Sequence, residues 1–265
     1  MTYRKDYCDG PFGQIHFVEH GDGPTLILLH QMVWSSRQFD NALPVLAARG
    51  LRAIAIDLPG FGNSDGPDKP PGAEGYASAV LPVMEYLGLD MSAVCGHHTG
   101  ASVACAFAHA HPNRVSKLLL HGCPLLTSQE QQDRLSRPHF DQTPQTTGNH
   151  FTMLWETIYG ASKGEASLQA THLGVLLTLL AGEKEWFGHH AAFSYDMEKA
   201  ILELKPPALV ISNTGDTLHG ADKKVVLLRP DFEYTEMSGG TYHVVFDEAE
   251  AWANIVADFV LRNGL

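Results

Sequence analysis

Cations are scarce in this chain of 265 residues: 18 Lys and Arg stand against 30 Asp and Glu, a formal charge of -12 with histidine neutral. Nucleic-acid binding draws most of its affinity from Lys and Arg meeting phosphates, so this balance argues against a nucleic-acid partner. Cysteine is sparse too, and Cys8, Cys95, Cys105 and Cys123 form no C-x-x-C pair. Two of the four fall inside apolar segments, which predicts reduced, structural thiols. No uninterrupted apolar run approaches the ~20 residues that a membrane span needs. The opening MTYRKDYCDGPFGQ lacks the apolar stretch of a secretory signal. The expectation is a cytoplasmic protein without a membrane partner. Internal repeats and low-complexity tracts do not stand out.

What is present suffices for a large core. At 44% hydrophobic and 18% charged, the composition fits one α/β domain carrying an insertion. Residues 12–20 alternate apolar and polar, and Gly21-Asp22-Gly23-Pro24 turns the chain into the continuous apolar run Thr25 to Leu29. This predicts a hairpin or edge strand leading into a buried parallel strand. Apolar spacing predicts a helix around Phe39 to Leu51, a strand over Arg52 to Leu58, a turn-rich loop from Pro59 to Pro67, and a helix over Tyr76 to Leu87. A strand near Cys95, a helix from Thr99 to His111 and a strand from Val115 to Leu120 follow. Such alternation implies right-handed crossovers and a parallel sheet, with ligand outside the carboxyl ends of the strands.

From Leu125 to about Lys205 the alternation stops. A polar, Gln- and Thr-rich stretch to His150 precedes helical patterns containing Phe151, Leu154, Trp155, Ile158 and Tyr159, then Leu173, Leu176, Leu177 and Leu180. A polar loop that long is improbable in a compact domain, so 125–205 reads as a helical cap folded over a core made of 1–124 and 206–265. Strands over Ala208 to Ser212 and Glu233 to Met237, with helices near Ala221 to Leu227 and Glu248 to Leu261, complete that core.

The chain is organised around Gly96-His97-His98-Thr99-Gly100. Its spacing is that of the G-x-S-x-G turn, which lifts a nucleophile above a parallel sheet between two crowded glycines. An imidazole, His98, stands where that pattern has a hydroxyl.

Over nearly its whole length the chain resembles the α/β-hydrolase superfamily, particularly the capped group. Leu28-Leu29-His30-Gln31-Met32 is similar to that family's strand-ending L-L-H-G-x, and Asp57 to Asp65 to its D-x-x-G-x-G-x-S-D loop. Gly96 to Gly100 occupies its nucleophile turn. Pro207 to Asp216 resembles the strand that delivers the triad acid, and Gly240-Thr241-Tyr242-His243 the loop that delivers the triad histidine. The resemblance implies a mostly parallel central sheet with helices on both faces and a helical cap. It implies catalytic roles for His98, Asp216 and His243, with Asp216 oriented behind His243 and Asp222 as the backup acid. A turn-forming Asp216 and a loop His243 are the plainer alternatives. The oxyanion hole falls to the backbone N–H groups of Met32 and Thr99. Gln31 replaces the usual glycine, so its side chain either reaches the site or merely fits its loop. His30 matches a loop-supporting position and is also a candidate for substrate contact. Asp57 and Asp65 brace loops, His97 packs, and Cys123 ends a strand where some relatives place an acid.

Three chemistries stay open for His98: attack on an acyl carbon to give an acyl-imidazole, acid–base work with His243, or metal ligation with His243 and either His30 or His121. No H-E-x-x-H spacing supports the metal, and the expected site holds none. Hydrolysis of an ester, lactone or C–C bond of a small apolar substrate is the leading reading, beside a lyase or isomerase reaction and a non-catalytic ligand-binding protein. Trp155, Tyr159 and Trp186 are the expected substrate-covering aromatics. No G-x-G-x-x-G follows the first strand, and no organic cofactor is expected. The partner is a small-molecule substrate, with a homodimer left open.

Overall fold

A computed structural model describes residues 3–262; the outermost residues of the expected core segments, 1–2 and 263–265, lie outside them. Eight strands form one sheet: β1 (Tyr3–Gly10), β2 (Gly13–His20), β3 (Thr25–Leu29), β4 (Arg52–Ile56), β5 (Ser92–His97), β6 (Val115–His121), β7 (Ala208–Asn213) and β8 (Glu233–Met237). Their spatial order is β1-β2-β4-β3-β5-β6-β7-β8. The β1/β2 and β2/β4 pairs are antiparallel, and every later pair is parallel. The continuous apolar runs make the central strands, as expected for strands covered on both faces: β5 and β7 are buried at every position.

Helices fill both faces. On one side, α1 (Ala42–Ala48) and the final α12 (Ala249–Leu261) pack Leu43, Leu46, Trp252 and Phe259 onto Leu26, Leu28, Cys95 and Ile211. On the other, α2 (Gly72–Ala77), α3 (Val80–Tyr86) and α4 (Thr99–Ala110) bury Tyr76, Val83, Val103 and Phe107 against Ile27, Leu29, Val94 and Leu120. Each such side chain contributes roughly 1.5–3 kcal/mol on leaving water. The single helix expected over 76–87 is two, because Pro82 lacks an N–H and its ring opposes a helical carbonyl at residue 78. Accordingly α2 is capped at Ser78 and α3 begins afresh in the turn that holds Pro82. The strand expected to Leu58 ends at Ile56, where Asp57 leaves the ladder and accepts from the Ser36 and Asn63 N–H groups.

Between β6 and β7 lie α5 (Ser128–Leu135), α6 (Asn149–Ala161), α7 (Leu168–Ala181), α8 (Glu185–Ser194) and α9 (Met197–Glu203), with no strand among them. The first of these sits inside the stretch expected to be polar loop. Its start is set by Thr127 and Glu130, which exchange side-chain to backbone hydrogen bonds in a capping box. After β7, α10 (His219–Leu228) leads to β8, and a short helix, α11 (Val244–Asp247), precedes α12.

Candidate active site

The end of β5 forces the geometry of His98. A Cβ on Gly96 would collide with the carbonyl of Gly100, and one on Gly100 with the carbonyl of Leu29, so neither position admits a side chain. Between them His98 takes φ 51° and ψ -115°, a strained region for a residue with a Cβ. Its N–H donates to the His121 carbonyl at 2.8 Å, and its own carbonyl accepts from Ala101 at 2.8 Å. The turn is thereby pinned to β6 on one side and to the first turn of α4 on the other.

The ring of His98 does not project straight into the cavity. It lies over Gly122, the φ +66° residue after β6, where a Cβ would overlap the imidazole. From there its Nε2 meets the Asp216 Oδ2 at 2.7 Å. Asp216 sits on the loop after β7, and its Oδ1 accepts from the Leu218 N–H at 2.7 Å. Two anchors thus fix the carboxylate behind His98. Burial pushes the Asp216 carboxyl up, but the His98 charge, its hydrogen bond and the Leu218 N–H outweigh this and hold it at about 2. Burial likewise opposes a charged His98, yet the Asp216 charge and hydrogen bond prevail and raise its pKa. With Nε2 committed to Asp216, Nδ1 has no partner among the described residues and is not sealed in. His98 lines the cavity with its side chain 16% exposed.

The expected pairing is therefore redrawn: Asp216 backs His98, and His243 has no carboxylate. His243 is buried, tilted against Tyr242 and Trp34, with neither ring nitrogen hydrogen-bonded among the described residues. Burial first, then the neighbouring His98, press its pKa down to about 3, so it is neutral in ordinary buffers. The longer reach of imidazole explains the exchange, because the ring at position 98 extends to the acid that the resemblance assigned to His243. Asp222, the backup acid, is spent elsewhere: it accepts from the Cys123 N–H at 2.7 Å and the Ser212 hydroxyl at 2.8 Å. Burial raises it to about 7.

Three other histidines near the site, His97, His121 and His30, are structural. His97 takes a hydrogen bond on Nδ1 from the Gln38 amide at 3.0 Å, and Gln38 Oε1 also accepts from the Gln31 N–H. His121 accepts from the Trp252 indole and bonds Asn213. His30 bonds the Gln31 carbonyl through Nδ1 and accepts from the Leu58 N–H through Nε2. With both nitrogens used and its ring inaccessible, His30 holds the loop and does not face the cavity. For a metal, the group that comes together is His97, His98 and Asp216, with donor atoms within 4.8 Å of one another; His30 takes no part. Asp57 and Asp65 brace loops as expected, through Ser36, Asn63 and Gln14.

Above the His98–Asp216 pair lies a cavity of about 690 Å³, lined by Gln31, Met32, Trp34, His98, Thr99, Trp186, Tyr242 and His243, and roofed by residues of α5 to α8. Thr99 opens α4, where the first N–H groups have no intrahelical acceptor. Trp155 and Tyr159 do not line it. On α6, Leu154 and Ile158 face the space, and the next residues are turned about 100° away by the helical repeat. Among the lining residues that the sequence does not announce are Trp34, Tyr242 and Arg134. The capping box at Thr127 to Glu130 was the signal that would have put Arg134 on a helix.

These features coincide with known proteins. A family model described as alpha/beta hydrolase fold matches residues 24–250. The bifunctional epoxide hydrolase 2 of Rattus norvegicus is 32% identical over 118 residues, which span 43% of this chain but only 21% of that protein. A 2-hydroxy-6-oxononadienedioate/2-hydroxy-6-oxononatrienedioate hydrolase of Pseudomonas putida is 25% identical over 265 residues, covering 93% of this chain and 91% of its own. Among solved structures, an epoxide hydrolase from Vigna radiata superposes with a TM-score of 0.79 over 98% of both chains at 15% identity, a likeness of fold. Eight strands in this order, the turn at His98 and the matched family model together make the chain a member of the α/β-hydrolase fold family.

Proposed function

We propose that this protein is a hydrolase in which the His98–Asp216 pair acts as the general base on water, beneath a helical cap formed by 125–205. The 2.7 Å bond from His98 Nε2 to Asp216 carries the reading. It fixes the proton on Nε2, leaves the Nδ1 lone pair unspent, and stabilises the imidazolium that forms when Nδ1 takes a proton. Water then loses a proton to Nδ1 as its oxygen bonds to the acyl carbon, and the carbonyl electron pair moves onto oxygen. In this reading the N–H groups of Met32 and Thr99, both at residues lining the cavity, receive that oxyanion. On collapse the bond to the leaving group breaks, and the departing oxygen or carbon recovers the proton from His98. Neutral His243 supplies hydrogen bonding to substrate without changing charge.

An acyl-imidazole on His98 is the second reading, favoured by the turn that lifts this residue out of β5. The general base fits the charge distribution better: once acylated, His98 could not activate the water that releases it, and His243 has no carboxylate to make it a base. The same logic restricts epoxide chemistry, since imidazole attack on an epoxide carbon leaves a stable N-alkyl bond, whereas a base only delivers water. Ester, lactone and C–C substrates of an acyl carbon fit this site.

Turnover of 4-nitrophenyl esters and β-diketones by the wild type and by His98→Gln, in labelled water, tests the proposal. Loss of turnover in His98→Gln, one labelled oxygen per product in a single turnover, and an unmodified protein mass after acid quench are expected. An acyl adduct on His98 would move the assignment to the covalent route, and undiminished turnover in His98→Gln would overturn it.

A further inference from the structure

Arginine is a rare residue here, and the structure spends it almost entirely on internal partners. Every arginine except two donates to a carboxylate, a side-chain amide or a backbone carbonyl among the described residues. The two exceptions, Arg134 and Arg137, both line the cavity over His98. Arg137 is exposed at the rim, but Arg134, in the last turn of α5, is half-buried. Its guanidinium carbon lies 5.2 Å from the centre of the Phe193 ring. Stacking on an aromatic face orients a guanidinium while leaving its in-plane N–H fork free, the geometry that receives a planar carboxylate through two parallel hydrogen bonds.

Among the described residues, the protein's own carboxylates do not occupy that fork. Glu130, one turn earlier on the same helix, is held by the Thr127 N–H and hydroxyl in the capping box. Of the acids that line the cavity, Glu185 lies 3.6 Å from His189, and Asp141 accepts from the Thr143 N–H. None approaches Arg134 within 4.0 Å. Burial, then the adjacent Arg137, lower the Arg134 pKa, and the Glu130 charge one turn away offsets this only in part. The same charge is felt at His98, where it opposes protonation, which places Arg134 within electrostatic reach of the reacting end of the cavity.

We propose that Arg134 reads a carboxylate on the substrate, remote from the acyl carbon that His98 addresses, so that the substrate class is a carboxylate-bearing ester, lactone or diketone rather than a wholly apolar one. This rests on the cavity being the hydrolase's substrate site, and it replaces the small apolar substrate expected from the sequence. A charge-assisted bidentate pair in a half-buried wall corresponds to a preference of about 10- to 100-fold.

The test has a catalytic and a binding arm. Steady-state hydrolysis of mono-4-nitrophenyl glutarate is compared with that of 4-nitrophenyl pentanoate for wild type, Arg134→Met and Arg134→Lys. The ratio of their kcat/KM values is expected to fall about 10- to 100-fold in Arg134→Met, chiefly through KM, and to recover in part in Arg134→Lys. Calorimetric titration with glutarate, with its diamide and with inorganic phosphate reads the fork without any turnover. Glutarate binding that is lost in Arg134→Met, with no binding of the diamide, supports the proposal even if neither ester is hydrolysed and the hydrolase reading fails. An unchanged ester ratio together with Arg134-independent glutarate binding would overturn it, as would binding of phosphate in place of glutarate.

Discussion

His98 Nε2 and Asp216 Oδ2 lie 2.7 Å apart, and the carboxylate is held on its far oxygen by the Leu218 N–H. A pair built this way ties the activity to the protonation of one imidazole. As a general base His98 must be neutral, so kcat/KM rises with pH through the His98 pKa, which Asp216 holds above the ordinary histidine value of 6.5. In Asp216→Asn the opposing charge is gone while burial still disfavours the cation. The inflection then moves to lower pH, and the plateau falls by about 10²–10⁴-fold, the usual worth of a positioned base. A pH–rate profile of both proteins decides it; an inflection that stays in place would mean that another group titrates.

Gly122 predicts a second effect. A Cβ there would meet the His98 ring and sit at φ +66°, where L-residues are strained. Gly122→Ala should therefore displace the imidazole from Asp216, lowering kcat/KM by more than tenfold, and destabilise the fold by about 1–3 kcal/mol. Urea denaturation separates the two consequences, because a stability loss without loss of activity would show that the ring can shift without leaving the carboxylate.

The sheet was legible because its central strands are apolar runs that nothing but a doubly covered sheet can bury, and the elbow because Gly96 and Gly100 have no alternative where backbones touch. The pairing inside the site was not legible. Position in sequence places Asp216 and His243 on neighbouring loops, but which imidazole wins the carboxylate depends on where each backbone holds its ring and on the space over Gly122 that admits the ring of His98. Similarly, Trp155 and Tyr159 are as aromatic as Trp186, and only the rotation of α6 tells that they miss the cavity. Arg134 was hidden in a stretch whose composition resembles loop, although the Thr127 to Glu130 spacing announces a helix start.

The His243 side chain contributes no hydrogen bond to the protein, as both its ring nitrogens lack partners among the described residues. Replacing a buried, unsatisfied polar ring by an apolar one of similar size is close to neutral for folding. His243→Phe should thus keep its stability at pH 7.5 within about 1 kcal/mol of wild type, while turnover falls at least tenfold because substrate loses a neutral partner in the cavity. Thermal unfolding alongside ester kinetics checks both halves. Equal activity in the two proteins would remove His243 from the site.

Acid should unfold this protein early, and the reason is the number of imidazoles it keeps dry. Burial lowers His30 and His121 to about 4, His97 well below the ordinary histidine range, and His243, with the His98 charge adding, to about 3. In the unfolded chain each titrates near its ordinary value of about 6.5. Because the folded pKa is the lower one, these groups contribute their full stability above about pH 6.5, and that contribution is lost as pH falls toward 4. Within that window each costs up to about 1.4 kcal/mol per pH unit, against a total stability of about 5–15 kcal/mol for a domain. Asp216, lowered from 3.8 to about 2, acts only below this range. Urea midpoints measured from pH 7 to 4 should therefore fall steeply below 6.5. In His243→Phe the slope should flatten by about one third between pH 6.5 and 4, since one of a net three protons is no longer taken up on unfolding: four histidines gain one each, while Asp222, raised to about 7, gives one up. An identical slope in the two proteins would mean that other groups drive the acid transition, and that His243 is solvated more than its orphaned nitrogens imply.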